Sequence, residues 1–440
     1  MSVDPSTLRS VILDSAYPPW APGWDTRTPD FVRALDAFFQ ACTRDEPCAV
    51  AHPGLEARFR AALADLETNP VVATPGPSAG LGPPGTLFYA DAQDFAIIVH
   101  QLLYDTRAYG GLPLVVDELS RRNPAVWRNV SEVVALRAAS LSRAVSLAVE
   151  CYDRSSYQSR ESQAKYGAVD PLVHRVHTYF DADYDICPEW SPHQASPAEL
   201  RPVRVDVPTL ILAGRFDPIT PPAWGERVSR TLPDAVFFEF PLGHGAYRSH
   251  ACPRSIASAF VHDPASRPDA RCIAGMSEPR FVTRYRRSPD AWRLLSGLTI
   301  APEPRIAGGV GAALAALILG LILPAGQSLS RRFAAHAEQT TVPRRGLVQA
   351  TAGLALLFWA ALLGALAWTA TSEPLLLLVG LPYWAHVVFW IPLVGLALAL
   401  AAGFELWRDW AGISWGTRVA QLWILGAATV LLAARFAFDL

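Results

Sequence analysis

Two residues of this chain are best placed to do chemistry: the aspartate of TLILAGRFDPITPP (209–222) and the histidine of EFPLGHGAY (239–247). Each follows a run of apolar residues and sits among turn-forming Gly and Pro, the pattern of a buried strand that hands one polar side chain to a loop. An imidazole steadied by a carboxylate can take a proton from a hydroxyl and return it to a leaving group. Asp217 and His244 are therefore two members of an acid–base–nucleophile triad, and the third member has to be sought in the rest of the chain.

The elements that must position them are visible as patterns. SVILDS (10–15), VPTLILAG (207–214) and AVFFEFP (235–241) predict strands, and their unbroken apolar character suits the middle of a parallel sheet. PPAWGERVSRTL predicts the crossover helix between the last two. Residues 20–200 are mostly helical and amphipathic, as in FVRALDAFFQAC, LEARFRAALADL, AQDFAIIVHQLLYD and WRNVSEVVALRAASLSRAVSLAVECYD. The Pro- and Gly-rich TPGPSAGLGPPG (74–85) interrupts them. Strand, G-x-x-D-P, helix, strand, then G-H-G is similar to the last part of an α/β-hydrolase, where the acid follows one strand and the histidine the next. Gly243 and Gly245 leave room for that loop to carry the His244 ring over the sheet.

Composition narrows the function classes. The chain has 440 residues and 38 basic against 40 acidic side chains, a balance that argues against nucleic acid or another polyanion as partner. Its basic residues are almost all Arg, with Lys165 the one Lys. Cys42, Cys48, Cys151, Cys187, Cys252 and Cys272 form no C-x-x-C pair and have no histidine at zinc-finger spacing, so neither a metal nor a cofactor is expected. An even count in a chain with membrane segments favours disulfides outside the cytoplasm, paired locally as Cys42–Cys48, Cys151–Cys187 and Cys252–Cys272; six buried thiols are the alternative. The opening MSVDPSTLRSVILDSAYPPW has neither a basic region nor an apolar run of signal-peptide length.

From residue 306 the texture changes. The stretches 306–323, 348–370, a charge-free run within 374–404, and 419–438 are each long enough to cross a hydrocarbon core of about 30 Å, which predicts four transmembrane helices. Almost no ionisable residue lies inside them, so an anchor or packing module is expected over a conducting one. Arg331, Arg332, Arg344 and Arg345 in one loop, and Arg408 and Arg418 in another, mark cytoplasmic loops. Arg286, Arg287, Arg293 and Arg305 on the other side weaken that bias, and the cysteines tip the soluble part outward.

VPTLILAGRFDPITPPAWGERVSRTLPDAVFFEFPLGHGAY, with Cys252, PRSIASAFVHDP and Cys272 behind it, resembles the C-terminal portion of the tripeptidyl and prolyl aminopeptidase-like α/β-hydrolases. LRSVILDSAYPP (8–19) is similar to the strand that follows the nucleophile helix in that family, and DAFFQACTRDEPCAVAHPGLEARF (36–59) resembles the start of its helical cap. The resemblance implies an acid at Asp217, a general base at His244, a lid over the cleft and a peptide or a small ester or amide as substrate. It also implies that the nucleophile and oxyanion hole lie upstream of Leu8, so that the chain starts after them. The C-terminal helices are not a usual feature of the family.

One G-x-S-x-G exists, at Gly76–Gly80 around Ser78, but Pro75, Pro77, Pro83 and Pro84 surround it and no helix can start directly behind it, which reads as a turn in the cap. DADYD (181–185) alternates like a calcium loop but has Ile186 and Pro192 where Gly and Glu are needed. His174 and His177 lack the Glu of a metalloprotease helix and read as structural. Glu150 and Asp153, beside Cys151, are candidates to hold a substrate's amino group.

The expected fold is α/β: a partial α/β-hydrolase, with C-terminal strands and a helical cap, followed by an all-α membrane domain of about four helices. Expected boundaries are 1–20 for a remnant of the core, 21–200 for the cap, 201–275 for the core with Asp217 and His244, 276–305 for a linker and 306–440 for the membrane region. The expected protein is a multi-pass, membrane-anchored serine hydrolase of aminopeptidase type with its soluble part extracytoplasmic, inactive alone, for which a separate N-terminal half is a candidate partner beside the lipid bilayer. The alternative is a non-catalytic membrane protein whose degenerate hydrolase domain binds peptides or a partner.

Overall fold

The computed structural model describes residues 5–73, 87–139, 142–154, 157–166, 169–178, 181–190, 195–300, 302–315, 317–318, 322 and 346–437. They form two units, one running to Thr283 and the other starting at Arg284.

In the first unit β1 (Val11–Asp14), β2 (Thr209–Gly214) and β3 (Ala235–Phe240) make a parallel sheet with β2 in the middle. Val11 lies opposite Thr209 and Thr209 opposite Ala235. Every residue of β2 is buried, which is why it reads as an unbroken apolar run. The two-residue alternation of a strand sorts its side chains. Leu210 and Leu212 join Phe238 and Phe240 against Ile256, Ala257 and Phe260 of the helix Ala251–His262. Ile211 faces the other way, onto Leu232 and onto Val228 of the crossover helix Pro222–Ser229. Truncating one of the fully buried aromatics here, such as Phe240, costs about 3–5 kcal/mol.

The helical cap lies between β1 and β2. Its helices include Arg27–Arg44, Leu55–Leu66, Ala92–Leu102 and Leu112–Ser120. Buried rings run through it, with Phe59 5.5 Å from Phe39 and 5.1 Å from Phe95, and Phe95 5.6 Å from Trp127. The helical pattern expected over 127–153 resolves into two helices, Pro124–Ala139 and Arg143–Arg154. The second starts at Ser142, whose hydroxyl accepts from the Val145 N–H at 3.4 Å, a capping role that Ser favours over a mid-helix one. Disulfides join Cys42 to Cys48, Cys151 to Cys187 and Cys252 to Cys272, with Cα separations of 5.3, 4.9 and 5.7 Å. The bond Cys151–Cys187 ties two cap helices together under Trp24.

Among the described residues of the second unit, three helices are long and apolar enough to cross a membrane: Gly346–Ser372, Tyr383–Arg408 and Trp415–Phe436. The first expected span, 306–323, is helical at 309–315, and part of it lies outside the described residues. The third span starts at Tyr383, just after Pro382, and runs to Arg408. Residues Pro374–Leu378 form a 3₁₀ turn and Gly380–Pro382 a strand, both buried, before the span begins. Of 276–305, expected as a linker, Tyr285–Arg287 pair antiparallel with Gly380–Pro382, and the helix Asp290–Thr299 adds Ala291 and Leu294 to the core around Phe358, Trp359 and Leu362. The indole of Trp359 donates to the Leu431 carbonyl at 3.0 Å, which satisfies its N–H inside the bundle.

Candidate active site

The acid and histidine loops leave β2 and β3 side by side. At Gly214, the last residue of β2, the carbonyls of Leu242 and Gly243 come so close that a Cβ would have no room. Phe216 N–H donates to the Leu242 carbonyl at 3.0 Å, which locks one loop to the other.

Asp217 is fully buried, and all its oxygens are used. Oδ1 accepts from the N–H groups of Ile219 at 3.0 Å and Thr220 at 2.9 Å, an Asx turn built by the Asp-Pro-Ile-Thr sequence. Oδ2 accepts from the Thr220 hydroxyl at 2.5 Å and lies 2.9 Å from His244 Nδ1. Burial works to raise the Asp217 carboxyl, but the hydrogen bond and charge of His244, helped by Thr220, outweigh it and hold the group below the usual carboxylate range. An ionised carboxylate can only accept, so Nδ1 of His244 carries the proton and Nε2 is left as the basic nitrogen.

The His244 loop is held on three sides. Gly243 N–H donates to Thr106 Oγ1 at 2.9 Å, Gly245 N–H to Ser15 Oγ at 2.8 Å, and Tyr247 N–H to Asp14 Oδ2 at 3.1 Å. Ser15 and Gly245 both have positive φ, of 60° and 73°, so the end of β1 and the histidine loop meet through two tight turns. Gly243 is required because the Tyr109 hydroxyl fills the place of a Cβ. The Tyr104 ring stands 5.3 Å from the imidazole. On the acid side, Arg33 of the cap helix Arg27–Arg44 donates to the backbone carbonyls of Arg215, at 2.6 Å, and of Asp217.

His244 keeps 29% of its side chain exposed and, with Tyr104, Asp105, Arg107, Gly245, Arg248 and Ser249, lines an open pocket of about 470 Å³. Among the described residues none hydrogen-bonds to its Nε2. The pair can thus accept a proton from a group presented in that pocket and keep the resulting imidazolium next to a carboxylate.

The other candidates fall elsewhere. Ser78 lies outside the described residues. Glu150 accepts from the Trp24 indole at 2.9 Å and stands 3.9 Å from Arg154, while Asp153 is half-buried on the same helix. Asp183, from the calcium-like DADYD, ion-pairs with Arg27 at 3.3 Å and with Arg143. His177 is buried, with Nδ1 3.3 Å from the Thr28 hydroxyl and its ring 4.7 Å from Phe31. Sequence reasoning passed over Thr220, although the Asp-Pro-Ile-Thr spacing signals it; Asp14, Ser15, Thr106 and Arg33 carry no such signal.

With this geometry in place, the comparison with known families is direct. Residues 171–272 match the family model described as TAP-like protein. The matched stretch contains β2, the crossover helix, β3 and both loops, and it supports an α/β-hydrolase assignment for this part of the chain. No curated protein matches the chain, and no solved structure does.

Proposed function

We propose that the first unit is a serine-hydrolase domain of aminopeptidase type, acting by acyl transfer on peptide amides or small esters. The observation that carries this reading is the fully buried Asp217 carboxylate 2.9 Å from Nδ1 of a half-exposed histidine whose Nε2 has no described partner. His244 is the general base and then the general acid, and Asp217 fixes its tautomer and stabilises the imidazolium. A nucleophilic serine and oxyanion-hole donors have to meet Nε2 in the pocket, and none of the described residues does so. The second reading is a domain that binds peptides or a partner without cleaving them.

The two readings separate in one experiment. The full chain, in micelles, is assayed against aminoacyl and tripeptidyl amides and short-chain esters, beside His244→Gln, Asp217→Asn and Ser78→Ala. Turnover lost in the first two variants and kept in Ser78→Ala supports the hydrolase; peptide binding without turnover, even when a separate N-terminal hydrolase half is supplied, supports the binder. Turnover lost in Ser78→Ala makes Ser78 the nucleophile.

The membrane helices serve in this reading as an anchor with the hydrolase domain outside the cytoplasm. Pairing of Tyr285–Arg287 with Gly380–Pro382 places the chain's approach to the bundle and the connection before the span Tyr383–Arg408 at one end. Arg408 and Arg418 flank the connection at the far end, where basic residues mark the cytoplasm. Labelling of intact cells at a cysteine placed at Arg293 is expected, and its absence there with labelling at Gly412 would reverse the orientation.

A further inference from the structure

The pocket beside His244 holds three charged side chains, and their pairing is uneven. Arg107 donates to Asp105 through Nη2 at 2.8 Å and Nε at 3.2 Å, so these two charges offset each other. Arg248 forms no ion pair and its guanidinium no hydrogen bond with a described residue. Its guanidinium lies across Gly245, with Nη2 3.3 Å and Nε 3.4 Å from where a Cβ would stand, so it rests against the histidine loop. Asp14 feels the Arg248 charge without forming an ion pair with it, and its Oδ2 accepts from the Tyr247 N–H. One unpaired cation with a planar fork of donors therefore lines the pocket into which the basic nitrogen opens. Such a fork matches a carboxylate in two parallel hydrogen bonds.

We infer that Arg248 recognises a carboxylate on the substrate, which makes the ligand of this pocket a short peptide with a free carboxylate close to the bond presented to His244. The inference rests on the reading of Asp217 and His244 as a peptide-handling centre. It assigns Arg248 to specificity, leaves proton transfer to His244, and gives Arg107 no part in recognition, because Asp105 already neutralises it. The pocket, about 470 Å³, is within the range of small-molecule sites. A phosphate monoester offers the same oxyanion chemistry and is the competing source.

The test is binding to the full chain in micelles, read from the imidazole resonances of His244 in histidine-labelled protein and assigned with His244→Gln. The probes are acetyl-Ala-Ala, its carboxamide, and inorganic phosphate. The acid is expected to bind about tenfold tighter than the carboxamide, the size of one charge-assisted contact at a partly exposed site. Arg248→Gln should bring the two to equal affinity, and Arg107→Gln should change their ratio less than threefold. Equal binding of acid and carboxamide by the unaltered chain overturns the inference, as does a preference that survives Arg248→Gln or disappears in Arg107→Gln. Phosphate binding more tightly than the acid overturns the peptide assignment. Absence of turnover in the hydrolysis assay bears on catalysis alone, because the acid-over-amide preference is measured without it.

Discussion

Acidification from pH 7 to pH 5 sets two groups of the cap against each other, the half-buried Asp30 and the buried His177, and Asp30→Asn separates them. Asp30 lies on the helix Arg27–Arg44, and His177 packs on the same helix through Thr28 and Phe31. Burial pushes the Asp30 carboxyl up to about 7, against the lowering effects of the Thr26 hydrogen bond and of Arg33. Burial, with the charges of Arg27 and His174, holds His177 down at about 3. For His177 the unfolded chain takes up its proton below the ordinary value of 6.5, and the folded chain only near 3, so stability is lost as pH falls through that window. Going down to pH 5 costs about 2 kcal/mol, at about 1.36 kcal/mol per pH unit. For Asp30 the sign is reversed. The folded carboxyl binds its proton near 7 and the unfolded one near 3.8, so stability is gained between pH 7 and pH 5, again by about 2 kcal/mol. The unaltered protein should therefore change by less than about 1 kcal/mol, Asp30→Asn should lose about 2 kcal/mol, and His177→Phe should gain about 2 kcal/mol. The assay is amide hydrogen exchange of the helix Arg27–Arg44 in the full chain, corrected for the intrinsic pH dependence of exchange. An Asp30→Asn helix as insensitive to pH as the unaltered one refutes the argument, because burial would then hold neither group away from its ordinary value.

Two substitutions test how the cap holds the site. Arg33→Ala strips the donors from the carbonyls of Arg215 and Asp217 and should lower the opening energy of residues 215–220 by about 2–3 kcal/mol, seen as faster amide exchange there; unchanged exchange would mean the guanidinium does not hold the acid loop. Gly243→Ala should cost about 1–3 kcal/mol by overpacking against the Tyr109 hydroxyl, and adding Tyr109→Phe should return part of that loss, so two additive losses in a thermal melt would place the strain elsewhere.

Much of the local structure could be read from residue order. The three strands of the hydrolase sheet begin and end within one or two residues of the apolar runs that predict them; the middle one, β2, is covered on both faces and so has to be apolar throughout, while β1 and β3 keep partly exposed positions. Gly and Pro punctuation delivers Asp217 and His244 to adjoining loops, and short sequence separation pairs all six cysteines.

What was hidden depends on contacts between distant parts of the chain. Ser15 meets the Gly245 N–H across 230 residues, Thr106 meets Gly243 across 137, and Arg33 reaches Asp217 across 184, and none of these side chains differs in type or spacing from a surface residue. Residues 374–382 show the converse case. Their apolar run predicts membrane, yet Leu375–Leu378 are buried in protein and Gly380 is pressed against the Arg286 backbone in a strand pair. Hydropathy records only that a side chain avoids water, and lipid and protein interior satisfy that requirement equally. Which of the two covers a given stretch is decided when strands and helices from remote positions close around it.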